Sequence, residues 1–292
     1  MIPTYGRPRQ LADCLRSLAR LDYDRDRLEV LVVDDGSPVP LDDEVVAAFR
    51  SRIRVTLMRQ ANAGPAAARN IAAERANGEY LAFTDDDCLP DPGWLRTLAA
   101  VWAESPDCMV GGVTLNGAPN LYSATSQLIV DVVYRHYNAD PANALFIASN
   151  NMALPARRFR EIGGFDPSFR SAEDRDLCDR WRHRGNRIIY VPGAVVHHNR
   201  PMNAAAFCRQ HFQYGRGAEQ FSRRRAARGS GHFLVEARFH LDVGNWLWFP
   251  LTSVPPRRMA AVAALLGLWQ ISNLAGFAWA AVARRVGDPR VA

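Results

Sequence analysis

The chain has 292 residues, of which 48% are hydrophobic and 23% charged, and its formal net charge is +6. All 36 basic residues are arginine, which excludes chemistry that depends on lysine, such as a Schiff base or a P-loop. An arginine excess favours anionic partners such as phosphates or lipid head groups. Nucleic acid is not a predicted partner, because no zinc-finger spacing or basic-aromatic motif occurs. The five scattered cysteines contain no Cys-x-x-Cys pair, which is typical of a reducing cytoplasm rather than of structural zinc.

Strand and helix patterns alternate over residues 1–115. The chain opens in what resembles the tail of a strand whose beginning is missing, and a start upstream of Met1 and a clipped chain are the two alternatives. Apolar runs predict further strands at 28–33, 53–58, 80–84 and 109–113, and periodic spacing predicts helices at 8–20, 66–76 and 92–104. This alternation predicts an α/β fold, Rossmann-like, with a mostly parallel sheet and flanking helices.

Residues 116–200 show a less regular pattern. They contain an apolar segment at 145–154, a predicted helix at 157–162 and a charged helix at 172–184. A strand at 187–191 and a short apolar stretch at 195–198 follow.

Acidic residues follow two of the predicted strands. Asp85, Asp86 and Asp87 come directly after strand 80–84, and Asp34 and Asp35 end strand 28–33. Ligands of open α/β sheets bind at the carboxyl ends of strands. Adjacent carboxylates repel each other unless a cation neutralises them, and Mg²⁺ is often shared between carboxylates and phosphates. The pattern therefore predicts a metal–diphosphate site, with an acidic turn or helix cap as the alternative.

The C-terminal region is basic and then apolar. An arginine-rich segment at 200–228 precedes an uncharged stretch of 25 residues at 259–283, which has an arginine pair on each side. That stretch is long enough to span a bilayer, but the arginine pairs do not give the asymmetry expected of a single span. We expect a membrane-associated or membrane-spanning helix, and a buried soluble helix is the alternative.

A set of short motifs occurs in a characteristic order. They are Ile-Pro-Thr-Tyr at 2–5, Val-Asp-Asp-Gly-Ser at 33–37, Asn-x-Gly-Pro-Ala-Ala-Ala-Arg-Asn at 62–70, Gly-Glu-Tyr at 78–80, Asp-x-Asp at 85–87, Gly-Gly-Phe-Asp at 163–166, Glu-Asp at 173–174 and a late histidine. This order resembles family 2 glycosyltransferases with the GT-A fold. The resemblance covers residues 1 to about 200 and implies a GT-A catalytic domain there, with a nucleotide- and metal-binding half at 1–115 and an acceptor half at 116–200. Residues 201–292 would form a helical, membrane-associated appendage.

The resemblance also implies roles for individual residues. The residues that it assigns to the nucleotide-sugar donor are Pro3, Tyr5, Asp35, Arg69, Asp85 and Asp86. It assigns Mg²⁺ or Mn²⁺ to Asp87 and His198, and the general base to Asp174; His197 is one residue off the favoured spacing. Asp174 as a solvated helix residue, and either histidine as a core or surface residue, are the alternatives.

The predicted function is transfer of one sugar from a nucleoside-diphosphate sugar to a hydroxyl acceptor. A metal would neutralise the leaving diphosphate, and a single carboxylate base would give one displacement with inversion. Residues 210–214 resemble only faintly the Gln-x-x-Arg-Trp motif of processive synthases, which favours single-sugar transfer. The expected acceptor is a lipid-linked or cell-envelope precursor at the cytoplasmic face of the plasma membrane. The alternatives are a sugar-phosphate nucleotidyltransferase and an inactive membrane-associated scaffold.

Overall fold

The structure, a computed structural model, describes residues 1–231 and 238–286. The strands are β1 (Ile2–Thr4), β2 (Glu29–Asp34), β3 (Arg54–Arg59), β4 (Tyr80–Phe83), β5 (Cys88–Pro90), β6 (Met109–Asn116), β7 (Met152–Pro155) and β8 (Ile188–His198). The main helices are α1 (Pro8–Leu18), α2 (Glu44–Ala47), α3 (Pro65–Arg75), α4 (Trp94–Trp102), α5 (Leu121–Tyr137), α6 (Ala156–Ile162), α7 (Glu173–His183), α8 (Ala204–Arg228) and α9 (Pro256–Arg285). Two short helical turns, Gly244–Trp248 and Phe249–Leu251, precede α9. Residues 232–237 and 287–292 of the predicted C-terminal region lie outside the described residues.

Most strands run in one direction. β2 pairs in parallel with β1 and β3, and a second sheet has the order β4-β7-β6-β8-β5. Met1 connects the two sheets, because its amino group donates to Ala82 O at 2.7 Å and its carbonyl accepts from Thr84 N at 3.2 Å, as in parallel pairing. β6 is parallel to β8, whereas β7 is antiparallel to β4 and β6, and β5 is antiparallel to β8. Among the described strands only β5 and β7 therefore run against the rest, and the mostly parallel sheet is confirmed.

The elements predicted for residues 1–115 match observed ones to within a few residues, but the short helix α2 and the strand β5 were not predicted. Further differences lie beyond residue 115. The sequence pattern did not predict the 17-residue helix α5. Several of its residues are β-branched and are weak helix formers, so its pattern is irregular. Its start is fixed by Asn120, whose side chain accepts from Ser123 N at 2.9 Å. The two apolar stretches predicted at 187–191 and 195–198 belong to one strand, β8, with an irregularity in its pairing to β6.

Helices cover both faces of the sheet. One core packs α1 and α4 on one face, where Leu11, Leu15 and Leu98 are fully buried. A second core packs α3, α6 and α7 on the other face around Phe83 and Trp181. The carboxyl ends of β1, β2 and β4 are left at one rim, where the predicted site lies.

The C-terminal helices form a third core with α5. α8 and α9 touch through their backbones: a Cβ on Gly215 would lie 1.9 Å from Asn273 O, and one on Gly276 would lie 2.0 Å from Phe212 O. Only glycine permits this approach. By length and composition alone, α9 could also cross a membrane.

Candidate active site

The aspartate triplet lies at the rim beside the end of β1. Thr4 Oγ1 donates to Asp86 Oδ2 at 2.7 Å, and Arg7 Nη1 donates to Asp86 at 3.1 Å and to Asp87 at 2.9 Å. Asp86 and Asp87 are buried, whereas Asp85 is partly exposed. Burial raises the pKa of Asp86 to about 6, although the charge of Arg7 and the hydrogen bond from Thr4 oppose the rise. Asp86 therefore connects the aspartate triplet to the end of β1. Its assignment to the donor remains a prediction.

Asp87 and His198 form a pair suited to a hard divalent cation. His198 Nε2 lies 3.3 Å from Asp87 Oδ1, and Asn199 N donates to Asp87 O at 2.8 Å. Burial favours a higher pKa for Asp87, but the hydrogen bond and charge of His198, with the charges of Arg7 and Arg200, lower it to about 2. Adjacent ligands of an octahedral Mg²⁺ with bonds of about 2.1 Å lie roughly 3 Å apart. An ionised carboxylate and an imidazole at this separation fit such an ion.

Two neighbours of this pair fit a metal less well. Cys88 Sγ lies in the same cluster, but burial raises the pKa of its thiol well above the ordinary value, and a neutral thiol is a poor ligand for Mg²⁺. His197 Nε2 contacts Asp91 at 3.1 Å instead of the triplet. Of the two adjacent histidines, the structure thus brings only His198 to Asp87.

Arg69 connects the triplet to the acidic pair of α7. It is buried, and it donates to Asp85 at 2.6 Å and to Glu173 at 2.8 Å. The Arg69 guanidinium therefore bridges two carboxylates and ties the triplet to the start of α7. Its assignment to the donor remains a prediction.

Asp174 is the second residue of α7, beside that bridge, and is half-buried. Its carboxylate accepts from Ser149 N at 3.3 Å and from Arg175 N at 2.8 Å. Burial and the charge of Glu173 raise its pKa to about 7, despite these hydrogen bonds. A carboxylate that titrates near neutrality is suited to general base catalysis. The partial burial disfavours the alternative of a freely solvated helix residue.

Asp35 shapes the loop before α3. Its carboxylate accepts from Gln60 Nε2 at 2.6 Å, Ala63 N at 2.8 Å, Gly64 N at 2.9 Å and Asn62 Nδ2 at 3.3 Å. A carboxylate has about four lone-pair positions, so a base or ribose at Asp35 would compete with these donors. Its assignment to the donor remains a prediction.

Tyr5 and Pro3 differ in their access to a ligand. The Tyr5 side chain is 48% exposed just beyond β1, and the next residue, Gly6, donates its N–H to Ser37 Oγ at 2.8 Å. Tyr5 can therefore face a flat ligand such as a base. Pro3 is buried within β1 opposite Val33, where it supports the strand end.

The sequence reasoning missed Thr4, Arg7 and Glu173 as parts of the site. Thr4 and Arg7 are separated from Asp86 by 82 and 79 positions. Thr4 lies in the Ile-Pro-Thr-Tyr motif but was given no role of its own, and Arg7 has no local signal, since an arginine before a helix is unremarkable in an arginine-rich chain. Glu173 is next to the predicted base, but its contact to Arg69 spans 104 positions.

The comparison with known protein families concerns the N-terminal part of the chain. A sequence profile of Glycosyl transferase family 2 matches residues 1–162, which include the aspartate triplet. The chain belongs to glycosyl transferase family 2. The match ends before α7 and β8, which carry Asp174 and His198.

Curated relatives of this family 2 chain are longer than the chain itself. Pre-mycofactocin glycosyltransferase of Mycobacterium tuberculosis is 32% identical over 177 residues, which cover 59% of this chain and 37% of that protein. Validoxylamine A glucosyltransferase of Streptomyces hygroscopicus subsp. jinggangensis is 29% identical over 216 residues, which cover 63% of this chain and 51% of that protein. The chain thus spans about half of these relatives or less.

Solved structures confirm the GT-A fold. A mannosyltransferase from Pyrobaculum calidifontis, in complex with GDP-Man and Mn²⁺, matches with a TM-score of 0.68 at 21% identity, covering 98% of this chain and 86% of that one. A fragment of S. aureus TarS in complex with UDP-GlcNAc matches with a TM-score of 0.57 at 19% identity, covering 98% and 90%. At such identities the likeness concerns the fold alone.

Proposed function

We propose that this chain transfers a single sugar, with inversion, from a nucleoside-diphosphate sugar to a hydroxyl acceptor. The observation that carries the proposal is the geometry of one rim: Asp87 lies 3.3 Å from His198 Nε2, and Asp174 lies beyond the Arg69 bridge, where it accepts from two backbone N–H groups. Asp87 is held ionised beside His198, and Asp174 titrates near neutrality beyond the Arg69 bridge. Asp87 is suited to bind a cation, and Asp174 is suited to accept a proton. Sugar transfer from a diphosphate needs both, because the leaving diphosphate must be neutralised and the acceptor hydroxyl must lose a proton.

The donor side consists of groups at the ends of β1, β4 and β8. Asp87 and His198 would hold Mg²⁺ or Mn²⁺, which supplies Lewis-acid neutralisation of the diphosphate when bound. The exposed ring of Tyr5 would face the nucleoside base, and the accessible edge of Asp85 would face the ribose or the sugar. The complexes of related folds with GDP-Man and UDP-GlcNAc support this class of donor.

The acceptor side depends on Asp174. Its ionised carboxylate would accept the proton of the acceptor hydroxyl as the oxygen attacks the anomeric carbon and the bond to the diphosphate breaks. Two backbone N–H groups, of Ser149 and Arg175, hold the carboxylate in place. Attack opposite the leaving group in one displacement inverts the configuration.

The product identifies the reaction. Purified protein with Mn²⁺, a nucleotide sugar and a membrane extract as acceptor source should release nucleoside diphosphate and label a glycan or glycolipid. Release of pyrophosphate from sugar phosphate and nucleoside triphosphate would indicate a nucleotidyltransferase instead. Metal-dependent binding of nucleoside diphosphate, without turnover for any nucleotide sugar, would support the inactive scaffold.

The exposed face of α9 supports a membrane-linked acceptor. Ile271 and Leu274 on this helix are 67% and 69% exposed, and Val282 continues the same apolar face. Trp248, in the preceding turns, is also exposed. Arginines at 257, 258, 284 and 285 flank the face and are exposed as well. An apolar stripe between cationic ends complements an anionic bilayer surface.

The packing of α9 favours a helix that lies on the membrane over one that spans it. The opposite face of α9 packs along α8, where Arg216 lies 4.4 Å from the Trp279 ring and Glu219 lies 3.3 Å from Arg284. A spanning orientation would carry the charges of α8 into hydrocarbon, where each costs several kcal/mol, about 2.5–3.5 on insertion scales. We therefore place the chain on the cytoplasmic membrane surface, within reach of a lipid-linked acceptor.

Vesicle binding tests this location. We expect the chain to co-sediment with vesicles that contain phosphatidylglycerol, and the paired substitutions Ile271→Glu and Leu274→Glu to reduce the bound fraction at least about tenfold, because two charges replace buried apolar area. Val39→Glu is the matched control, since Val39 is 80% exposed elsewhere on the domain. Equal binding of all three proteins would contradict the proposal. Conversion of a dimer to a monomer by the paired substitution would instead identify the face as an interface between two copies.

A further inference from the structure

The segment that leads into the proposed base has an unusual backbone. Ala172, directly before α7, has a φ of 68°, and it is the one non-glycine residue with positive φ among residues 1–231 and 238–286. A residue with a Cβ keeps this left-handed conformation only where its surroundings impose it. The next two residues are Glu173 and Asp174, so the conformation of Ala172 sets the direction in which the base enters the site.

Contacts on both sides of Ala172 impose this conformation. On one side, Ser171 Oγ donates to Gln213 O of α8 at 2.8 Å. A Cβ on Gly217 would lie 2.4 Å from Ser171 Oγ and 2.5 Å from Ser171 O, so the backbone of α8 rests directly on Ser171. On the other side, Glu173 is held by Arg69 at 2.8 Å. With both neighbours fixed, Ala172 must bridge them in the left-handed conformation.

A second contact holds α7 to the same helix. Arg228, at the end of α8, donates to Asp176 Oδ1 at 2.6 Å and also pairs with Asp179. Asp176 is buried and lies one turn from Ala172, whose carbonyl accepts from Asp176 N at 3.0 Å. α8 therefore holds the first turn of α7 from two points, before and after Asp174.

We propose that Ser171 and Gly217 are positioning residues for the transfer reaction. Through them α8 fixes the backbone at Ala172 and aims the Asp174 carboxylate at the acceptor hydroxyl. The inference rests on the proposed role of Asp174 as the base. It also makes α8, which lies in the region expected from the sequence to be an appendage, a working part of the catalytic site.

Gly217→Ala tests the contact from the side of α8. The added methyl group meets Ser171 Oγ and O and should displace the segment, whereas Asp87 and His198 pair with each other at the end of β8. Because a misplacement of about 1 Å can cost roughly 100-fold in rate, we expect kcat to fall about 10- to 100-fold. The KM for the nucleotide sugar and the Kd for the nucleoside diphosphate should not change. Gly267→Ala in α9 is the matched control, since a Cβ there meets nothing within 4 Å.

Ser171→Ala tests the same contact without overpacking. It removes the hydrogen bond to Gln213 O and should lower kcat by a few-fold. It should also move the pH midpoint of kcat, because the contacts of Asp174 to Ser149 N and Arg175 N shift with the loop. In the double variant with Gly217→Ala, the loss of Ser171 Oγ relieves part of the clash. The combined effect should therefore be smaller than the product of the single effects, as for residues in contact.

The outcomes separate this inference from the proposed function. Wild-type kcat and pH midpoint in both single variants would overturn the positioning role. Loss of nucleotide binding in parallel with activity would also overturn it, because it would show a merely structural role. If Gly217→Ala does not fold, Ser171→Ala alone decides by its kcat and pH midpoint. Full turnover in Asp174→Asn would instead refute the proposed base itself.

Discussion

The pH dependence of turnover gives the sharpest test of the proposed base. Burial and the charge of Glu173 raise the pKa of Asp174 to about 7, and Arg69 opposes the rise. The other titratable groups near it are Tyr134, Cys178 and Tyr214, whose pKa values are all raised by burial. These three groups therefore stay neutral at pH 5 to 9 and do not obscure the titration of Asp174.

The expected magnitude follows from this pKa. A base must be deprotonated to act, so kcat should rise with pH and level off above the pKa of Asp174. With a pKa of about 7, roughly one tenth of the base is ionised at pH 6, and kcat there should be about tenfold below its value at pH 8. Asp174→Asn should remove the dependence together with about 100- to 10,000-fold of the rate, the usual contribution of general base catalysis.

The assay is release of nucleoside diphosphate at saturating donor and Mn²⁺ between pH 5 and pH 9. Saturation keeps the titration of metal and donor ligands out of kcat, and binding of nucleoside diphosphate to Asp174→Asn controls for an intact donor side. A wild-type kcat that is flat between pH 6 and pH 8 would contradict the assignment of Asp174 as the general base. So would an Asn variant that keeps the wild-type rate.

Three further results are expected. Asp87→Asn should raise the Mn²⁺ concentration for half-maximal activity by about tenfold or more, because a ligand charge is lost, and full wild-type activity in excess chelator would contradict the metal site. Arg69→Met should lower the free energy of unfolding in urea by about 3–5 kcal/mol, because Glu173 and Asp85 lose a buried partner; an unchanged midpoint would show that the bridge contributes little. Asp174→Asn should raise the melting temperature more at pH 8 than at pH 5. The folded-state pKa of Asp174, about 7, lies above the ordinary value of 3.8, so the wild type loses stability as the pH rises from about 4 to about 7, and the variant does not. An equal difference in melting temperature between variant and wild type at pH 5 and pH 8 would contradict this.

Local sequence patterns were sufficient for most of the catalytic half. Buried strands are short apolar runs, and the main helices between them have periodic leucines or an alanine-rich body, so these elements of residues 1–115 could be placed without tertiary information. The three-residue strand β5 and the four-residue helix α2 are too short to give such a pattern. The positions of Asp35 and Asp85 at strand ends followed from the same patterns, because the carboxyl ends of parallel strands share one rim. The order of the motifs then identified the family, which the profile match confirms. The division into domains at residue 200 stays a prediction, and the contacts of α8 with Ser171 argue for a later boundary.

Tertiary structure decided which groups each candidate residue contacts. The sequence cannot show that Arg69 donates hydrogen bonds to both Asp85 and Glu173, or that Arg7 reaches the triplet, because these contacts join positions 16 to 104 apart. Likewise, the opposite pKa shifts of Asp87 and Asp174 arise from burial and from neighbours that only folding brings near, although both are aspartates in acidic runs. Residue type and local order are fixed by the chain, whereas the electrostatic environment that separates a metal ligand from a base is a property of the packed structure.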